Sequence, residues 1–413
     1  MIGTVTGVPE GTSGNDSGGG LRLSSETKSG GRRSHLATPV LDTREVSDPT
    51  ATAPTPPSRT IPEELSPRHL VIRVAELAAV IAVVVIAINA LPGLDEVKAR
   101  LADVSWGWVV AVTLAEVGSC LGYLLAFRYT FCRGMSWRLS YDIAMAELAA
   151  NSLLPAGGAG GLALGVWALR QAGMPTAHIG RRSVAFFVVT SAANFFALIL
   201  VGLGVFARVI AGRGSALLTL VPALITALGV LLVALSPELL RKTAKPGAPA
   251  TADHWRGKVA LKLRGWVGAT ADGVDQAIAL LRSGNVGVAV GSFAYMAFDI
   301  AALGFAFAAV GHEPLFGVLV LGYLIGQLGN LIPIPGGIGG TEGALIGMFV
   351  LYGVNATQAT AAVLLYRLFA LLVPAALGAP AFVLLRRRLM RSDQPALVCA
   401  PMALEVVKLP ARH

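Results

Sequence analysis

The chain has 413 residues, of which 54% are apolar and only 14% are charged, with a mean hydropathy of +0.67. Soluble domains typically contain about 25% charged residues, so this composition excludes an ordinary soluble protein. The net charge of +9 would suit nucleic acid. However, the basic residues lie between long apolar segments, where they orient a membrane protein, and we expect no nucleic-acid partner.

Residues 1–66 are rich in Gly, Ser, Thr and Pro. They hold too little apolar surface to offset the entropy lost on ordering, so we expect a disordered cytoplasmic tail. The tail lacks the apolar core of a signal peptide.

Residues 67–388 are predicted to form the membrane domain. Six apolar stretches within them reach about 20 residues, enough to cross roughly 30 Å of hydrocarbon as an α-helix. These stretches are Val74–Leu94, Trp106–Phe127, Ser183–Ala207, Gly214–Ser236, Val286–Val310 and Ala359–Leu385. They predict an all-α polytopic membrane protein with about six full spans.

Two further apolar regions are broken by glycine and proline. Ile143–Leu169 is interrupted at Pro155–Gly161, and its arms are too short to span, which favours a re-entrant hairpin. Leu315–Val354 is interrupted at Pro333–Gly340. Its first arm is long enough to span alone, so a hairpin and paired full spans both remain open.

Basic residues predict the orientation of these segments. Loop 237–285 carries eight Lys/Arg against four acids, and the last span ends in Arg386, Arg387 and Arg388. Because cytoplasmic loops carry the excess of Lys and Arg, we expect both termini, including the short tail 389–413, in the cytoplasm of a bacterial cell. The protein would then be a multi-pass protein of the plasma membrane.

Within that loop, apolar residues recur near helical spacing. They are Leu263, Val267, Val274, Ile278 and Leu281. The pattern fits an amphipathic helix on the inner leaflet and equally a connecting helix packed on protein.

The two broken regions resemble each other at a constant offset of 179 positions. The matched pairs are Asn151/Asn330, Gly157/Gly336, Gly158/Gly337, Gly160/Gly339 and Gly161/Gly340. The charge pattern opens one region to the inside and the other to the outside. This predicts an inverted-topology repeat, a common plan for secondary transporters, with units at 106–207 and 286–385.

Irregular backbone inside a bilayer survives only against protein or a water-filled cavity. Half-helix N-termini at such breaks attract anions. We therefore predict a polar substrate site at the two breaks, with close packing through small residues as the alternative. The candidate residues there are Asn151, Pro155, Gly157, Gly158, Asn330, Pro335, Gly336 and Gly337.

Ionisable residues at membrane depth are costly and are functional candidates by default. Glu342 directly follows the second glycine cluster and could pair with Arg367, in a structural or a functional role. Glu116 and Asp299 lie mid-span in the leading helices of the two units. They either share a cavity or are hydrogen-bonded to backbone. Glu147 lies one helical turn before Asn151.

The sequence lacks the enzyme motifs that were considered. No Lys-Ser/Thr follows the cluster at residues 157–161, so it is not a P-loop, and no Gly-x-Ser-x-Gly elbow or zinc spacing is present. We therefore expect no enzyme activity, no cofactor and no metal.

The segment 329–342, with the sequence GNLIPIPGGIGGTE, is similar to the second signature of the flippase-like family, the transmembrane region of lysylphosphatidylglycerol synthases. Residues 151–155 and 169–173 resemble the first signature, and Leu365-Tyr366-Arg367 fits the pattern downstream. The resemblance covers about residues 70–388. One departure is clear: residues 156–161 carry no charge where the family usually has Arg and then Gly-Glu.

The resemblance implies movement of lipids between leaflets. In lysylphosphatidylglycerol synthases a soluble domain follows the membrane region, whereas this chain ends soon after its last span, so we expect no aminoacyl transfer. The expected function is translocation of an anionic lipid or lipid-linked precursor, with membrane lipids as partners. The alternatives are a secondary transporter of a small polar solute and a non-transporting scaffold for an enzyme of envelope synthesis.

Overall fold

The computed structural model describes residues 75, 95–153, 159–212, 214–243, 274–280, 282, 285–331 and 339–390. The predicted tail 1–66 lies outside the described residues. So do the predicted first span Val74–Leu94, apart from Ala75, and the C-terminal tail beyond residue 390.

Besides a short helical segment at residues 274–280, ten helices and no strand are found in the described segments between residues 95 and 390. The helices are α1 Asp95–Ala102, α2 Trp106–Phe131, α3 Trp137–Leu153, α4 Ala159–Gln171, α5 Thr176–Phe206, α6 Ala216–Thr243, α7 Val286–Ala309, α8 Phe316–Gly326, α9 Gly340–Leu351 and α10 Ala356–Met390. A 3₁₀ turn, Gln327–Leu331, continues α8.

Four of these helices, α2, α5, α7 and α10, are long and apolar enough to cross a membrane. This confirms the prediction of an all-α polytopic membrane protein. Helix α6 begins at Ala216 and covers all but the first two residues of the predicted span Gly214–Ser236. Helix α5 begins at Thr176 rather than at Ser183, because hydropathy marks only the apolar part of a helix that starts among basic residues.

The first broken region is a hairpin of two antiparallel arms, α3 and α4. Gly161 at the start of α4 lies against Asn151 near the end of α3, and Gly165 lies against Glu147 one turn earlier. The contacts therefore run in opposite directions along the two arms, as in the predicted re-entrant hairpin.

The second broken region is also a hairpin, formed by α8 and α9. Gly322 packs against Phe349, and Gly326 against Leu345. A later residue of α8 thus contacts an earlier residue of α9, so the two arms are antiparallel neighbours. Antiparallel arms fit both arrangements left open above, but α9, with 12 residues, is shorter than a full span, which favours the hairpin.

The leading helices of the two units, α2 and α7, pack antiparallel. Ala126 near the end of α2 lies against Gly291 near the start of α7. Trp108 at the start of α2 lies beside Phe305 towards the end of α7, with ring centroids 6.2 Å apart. The two units therefore run in opposite directions, as an inverted repeat requires.

Each repeat unit also packs against the hairpin of the other unit. The first arm of each hairpin packs against the last helix of the other unit, α3 on α10 and α8 on α5. In the first contact Arg388 Nη1 lies 3.0 Å from Asp142 Oδ2. In the second, Gly317 lies against Val205. The two hairpins are therefore held by equivalent contacts.

One end of the bundle is rich in arginine, and we call it the basic end. Helices α2, α4 and α10 finish there, and α3, α5 and α7 begin there. Its arginines are Arg128, Arg133, Arg138, Arg170, Arg181, Arg182, Arg386, Arg387 and Arg388. The first hairpin enters from the basic end and the second from the opposite end. That the basic end faces the cytoplasm stays a prediction.

Residues 274–280 of the long loop are helical, and Val274, Ala277 and Leu280 are buried. Ala277 belongs to a small core with Val189 and Val288. In this part of the loop the structure agrees with a connecting helix packed on protein. The rest of the predicted amphipathic stretch lies outside the described residues.

We expect Gly122→Ala to destabilise the protein, because a methyl group on Gly122 would overlap the backbone nitrogen of Tyr295 on α7. Overpacking of this kind typically costs about 1–3 kcal/mol. The control is Gly347→Ala, since no atom lies within 4 Å of a methyl group there. Thermal unfolding in detergent should give a lower midpoint for Gly122→Ala and an equal or higher midpoint for Gly347→Ala. Equal midpoints for the two variants would contradict the close packing.

Candidate functional site

The ionisable residues predicted at membrane depth come together where α2, α7, α8, α9 and α10 meet. Two tyrosines join them. We call this set the central polar cluster; its members are Glu116, Asp299, Tyr323, Glu342, Tyr366 and Arg367.

Asp299 lies at the centre of the cluster. The Tyr323 hydroxyl donates a hydrogen bond to its Oδ2. The Tyr366 hydroxyl donates to its Oδ1 at 2.9 Å. Both tyrosines are buried. A carboxyl group away from water needs such partners, and here they are side-chain hydroxyls rather than the backbone groups considered from the sequence.

Glu116 is 3% exposed, and its carboxyl group lies beside that of Asp299. Among the residues that the structure describes, no hydrogen-bond partner is found for Glu116 Oε1. The two carboxyl groups come from different units, because the antiparallel register of α2 and α7 puts them opposite each other. The structure shows that they are neighbours, whereas the shared cavity and their role in substrate binding stay predictions.

Glu342 and Arg367 form the predicted ion pair. Arg367 Nε donates to Glu342 Oε1 at 2.7 Å, with side-chain exposures of 19% and 13%. Glu342 Oε2 also accepts the Gly339 N–H at 2.8 Å. Gly339 has a φ of +103°, a conformation that favours glycine. One carboxylate thus caps α9 and fastens the second hairpin to α10.

Arg367 links this ion pair to the carboxyl groups at the centre. It lies near enough to Asp299 for its charge to act on that group. Arg367 therefore bonds directly to Glu342 and lies within electrostatic range of Asp299, and it is the cation of the cluster.

Polar contacts continue from the cluster towards the first hairpin. The rings of Tyr295 and Tyr123 are 5.5 Å apart between centroids, and the Tyr123 hydroxyl faces the Glu147 carboxyl group on α3. Glu147 is 8% exposed. Beside it, Asn151 Oδ1 accepts the Gly161 N–H at 2.9 Å, which joins the two arms of the hairpin.

Several candidate residues cannot be placed. Pro155, Gly157, Gly158, Pro335, Gly336 and Gly337 lie outside the described residues, as does the side chain of Asn330. The substrate site predicted at the two glycine clusters therefore stays a prediction.

The sequence reasoning gave no role to Tyr323 or Tyr366. A single tyrosine in an apolar helix is usually a core residue, and no periodic pattern marks these two. The one sequence feature that could have pointed to a polar role was the position of Tyr366 directly before Arg367. Their roles became visible only when α8 and α10 were placed beside α7.

An open groove of about 290 Å³ lies near the end opposite the basic end. Its lining comes from α2, α7 and the start of α8, and is apolar except for Glu313. The lining residues are Trp108, Ala301, Gly304, Phe305, Ala308, Glu313, Pro314 and Leu319. In the described part of the chain, no group of three or more His, Cys, Asp or Glu side chains could hold a metal ion.

Residues 73–378 match the family described as the lysylphosphatidylglycerol synthase TM region, and the protein belongs to this family. A UPF0104 membrane protein of Methanothermobacter thermautotrophicus is 34% identical over 108 residues. This similarity covers 26% of the chain and 30% of that protein, well under two thirds of its length. No solved structure matches the chain.

We expect Glu342→Gln and Arg367→Gln each to destabilise the protein by about 3–5 kcal/mol, because each leaves the other charge buried without its partner. The double variant should lose clearly less than the sum of the two single losses. Unfolding in mixed micelles of sodium dodecyl sulfate and a mild detergent would measure the three free energies.

The matched control is the exposed ion pair Glu96–Arg100, which has the same types of side chain at 3.1 Å. Exposed pairs of this kind typically contribute about 0.3–0.5 kcal/mol. Additive effects at Glu342 and Arg367, as small as those of the control pair, would show that the buried ion pair does not hold the second hairpin.

Proposed function

We propose that this member of the lysylphosphatidylglycerol synthase TM region family moves an anionic lipid or a lipid-linked precursor between membrane leaflets. The observation that carries the proposal is the central polar cluster, which lies between two units of opposite orientation. Polar and ionisable groups at membrane depth are expensive and typically mark the pathways of substrates and ions. The inverted repeat, with hairpins entering from opposite ends, is a common plan of secondary transporters.

Arg367 supplies the recognition chemistry in this proposal. A guanidinium group binds phosphate oxygens through two parallel N–H donors. In the structure one of its donors is bonded to Glu342. A phosphate headgroup that reached the cluster would compete with Glu342 for Arg367, and the second hairpin would then lose its connection to α10. Binding of substrate and release of the hairpin are thereby coupled.

The Glu116–Asp299 pair tunes the charge beside Arg367. Two carboxyl groups in contact do not both remain ionised, because like charges at this distance repel strongly. Gain or loss of one proton therefore changes the net charge of the central polar cluster. This supports a step in which an anionic headgroup enters the protonated cluster, with a proton gradient or consumption of the product as the driving force.

The apolar groove beside Trp108 favours a lipid over a small solute. Acyl chains need an apolar surface open to the side, whereas a solute carrier needs a cavity closed towards lipid. The second candidate function, transport of a small polar solute, is supported by the cluster itself and predicts no exchange of lipids. The scaffold function, with an enzyme of envelope synthesis as partner, stays a prediction.

In proteoliposomes, we expect the protein to exchange labelled phosphatidylglycerol between leaflets faster than empty liposomes do. Arg367→Gln and Asp299→Asn should each reduce this exchange at least about tenfold, which corresponds to a loss of about 1.4 kcal/mol. Both variants should be shown to fold by size-exclusion chromatography before reconstitution.

The controls make the same chemical changes at exposed residues outside the cluster. They are Arg133→Gln in the loop after α2 and Asp95→Asn in α1, and both should exchange lipid like the original protein. If folded protein exchanges no anionic lipid, lipid translocation is wrong. If exchange is intact in Arg367→Gln and Asp299→Asn, the site has been misplaced.

A further inference from the structure

The start of α5 carries basic residues where helix electrostatics favour acidic ones. The free N–H groups at a helix N-terminus bear a partial positive charge, which attracts anions. The first turn of α5 has no acidic residue, and Pro175 before it offers no side-chain cap. Instead, His178, Arg181 and Arg182 lie within the first two turns. The start of this 31-residue helix is therefore strongly positive.

Arg182 is buried, and no acidic partner for it is found among the described residues. It is only 8% exposed. The ion pairs in the described segments are Glu96–Arg100, Glu342–Arg367 and Asp142–Arg388, and none includes Arg182. The one charged group found to act on it is another cation, Arg181. Burial of an unpaired charge is costly, so this guanidinium group requires an anion that the described residues do not supply.

The side chains next to Arg182 on α5 bring no negative charge. His178 lies one turn before Arg182, is half-buried, and is close enough to feel the charges of both arginines. Its ring also bonds to the Phe131 carbonyl group, which occupies the single N–H of a neutral imidazole. No hydrogen-bond partner is found for the Ser183 hydroxyl in the described part of the chain. A guanidinium group near a helix N-terminus suits an oxyanion, which offers only acceptors.

Membrane orientation alone does not explain this arrangement. The positive-inside rule is met by basic residues at the membrane surface, and Arg181 is exposed there. Arg182 is the next residue along the chain, yet it is turned into the protein. Exposed Arg181 can therefore serve membrane topology, whereas the burial of Arg182 calls for another role, such as binding.

We propose that the start of α5 binds a phosphate oxyanion through Arg182. The site lies at the basic end, where the apolar part of α5 meets the membrane surface. The phosphate belongs either to the headgroup of a phospholipid or to inorganic phosphate from the aqueous phase. The site shares no residue with the central polar cluster, so its occupancy does not depend on whether lipids cross the membrane.

The test uses the purified full chain in a maltoside detergent, which contains no phosphate. Three probes are titrated by calorimetry: inorganic phosphate, short-chain phosphatidylglycerol, and the corresponding short-chain diacylglycerol, which lacks the phosphate. We expect phosphatidylglycerol to bind and diacylglycerol not to bind. Binding of inorganic phosphate as well would identify a general phosphate site, whereas its absence would identify the lipid as the source.

The decisive variants are the adjacent pair Arg182→Gln and Arg181→Gln, which remove the same charge. Arg182→Gln should weaken binding of phosphatidylglycerol at least about tenfold, and Arg181→Gln should weaken it by no more than about twofold. Equal weakening by the two arginine variants, or binding of diacylglycerol as tight as that of phosphatidylglycerol, would overturn the proposal.

Thermal unfolding distinguishes a binding residue from a structural one. If Arg182 is an unpaired cation, Arg182→Gln will leave the midpoint of the phosphate-free protein unchanged or raise it. Added phosphatidylglycerol should raise the midpoint of the original protein but not that of this variant. A lower midpoint in Arg182→Gln without ligand, together with unchanged binding by Arg182→Lys, would show a structural role and overturn the proposal.

Discussion

The close antiparallel packing of α2 and α7 is the constraint on which the rest of the structure depends. Gly122 and Gly291 let the two backbones approach to contact, since a side chain at either glycine would overlap the opposite backbone. Small residues at a helix interface play this role widely in membranes, where apolar burial does not drive association. The resulting register puts Glu116 beside Asp299, and so builds one polar site from two units.

The remaining polar groups at membrane depth are arranged around this helix pair. Tyr323 and Tyr366 hold Asp299 from α8 and α10, and the Glu342–Arg367 ion pair fastens α9 to α10. Helix α10 also receives the first hairpin, because Gly378 lies against the Met145 carbonyl group. Both hairpins therefore meet on α10, and a ligand that disturbs Arg367 acts on the helix that connects them.

The buried arginine at the basic end has different surroundings from the one in the central polar cluster. In the cluster, Arg367 is buried beside a carboxylate that offsets its charge. At the start of α5, Arg182 is buried, and the charged group found to act on it among the described residues is Arg181. The two buried arginines therefore differ: Arg367 is paired with a carboxylate of the protein, whereas no such carboxylate is found for Arg182 in the described residues.

Much of the architecture could be predicted from the sequence because the signals are local. Apolar runs predicted α2, α5, α7 and α10. The constant offset between the broken regions predicted the repeat, and position alone suggested the Glu342–Arg367 pair. The start of α5 was misplaced, because hydropathy does not detect a helix that continues through Arg181 and Arg182. The second hairpin stayed ambiguous, because its first arm is long enough to span.

The sequence by itself determined the class of protein, the apolar helices and the presence of two broken regions, because hydropathy and breaks in it are properties of short segments. Only the tertiary structure decided which polar groups meet. The contact of Glu116 with Asp299, the tyrosine bonds to Asp299 and the burial of Arg182 depend on the register between helices that are distant in the chain. That register is set by interhelical packing, which no single segment encodes.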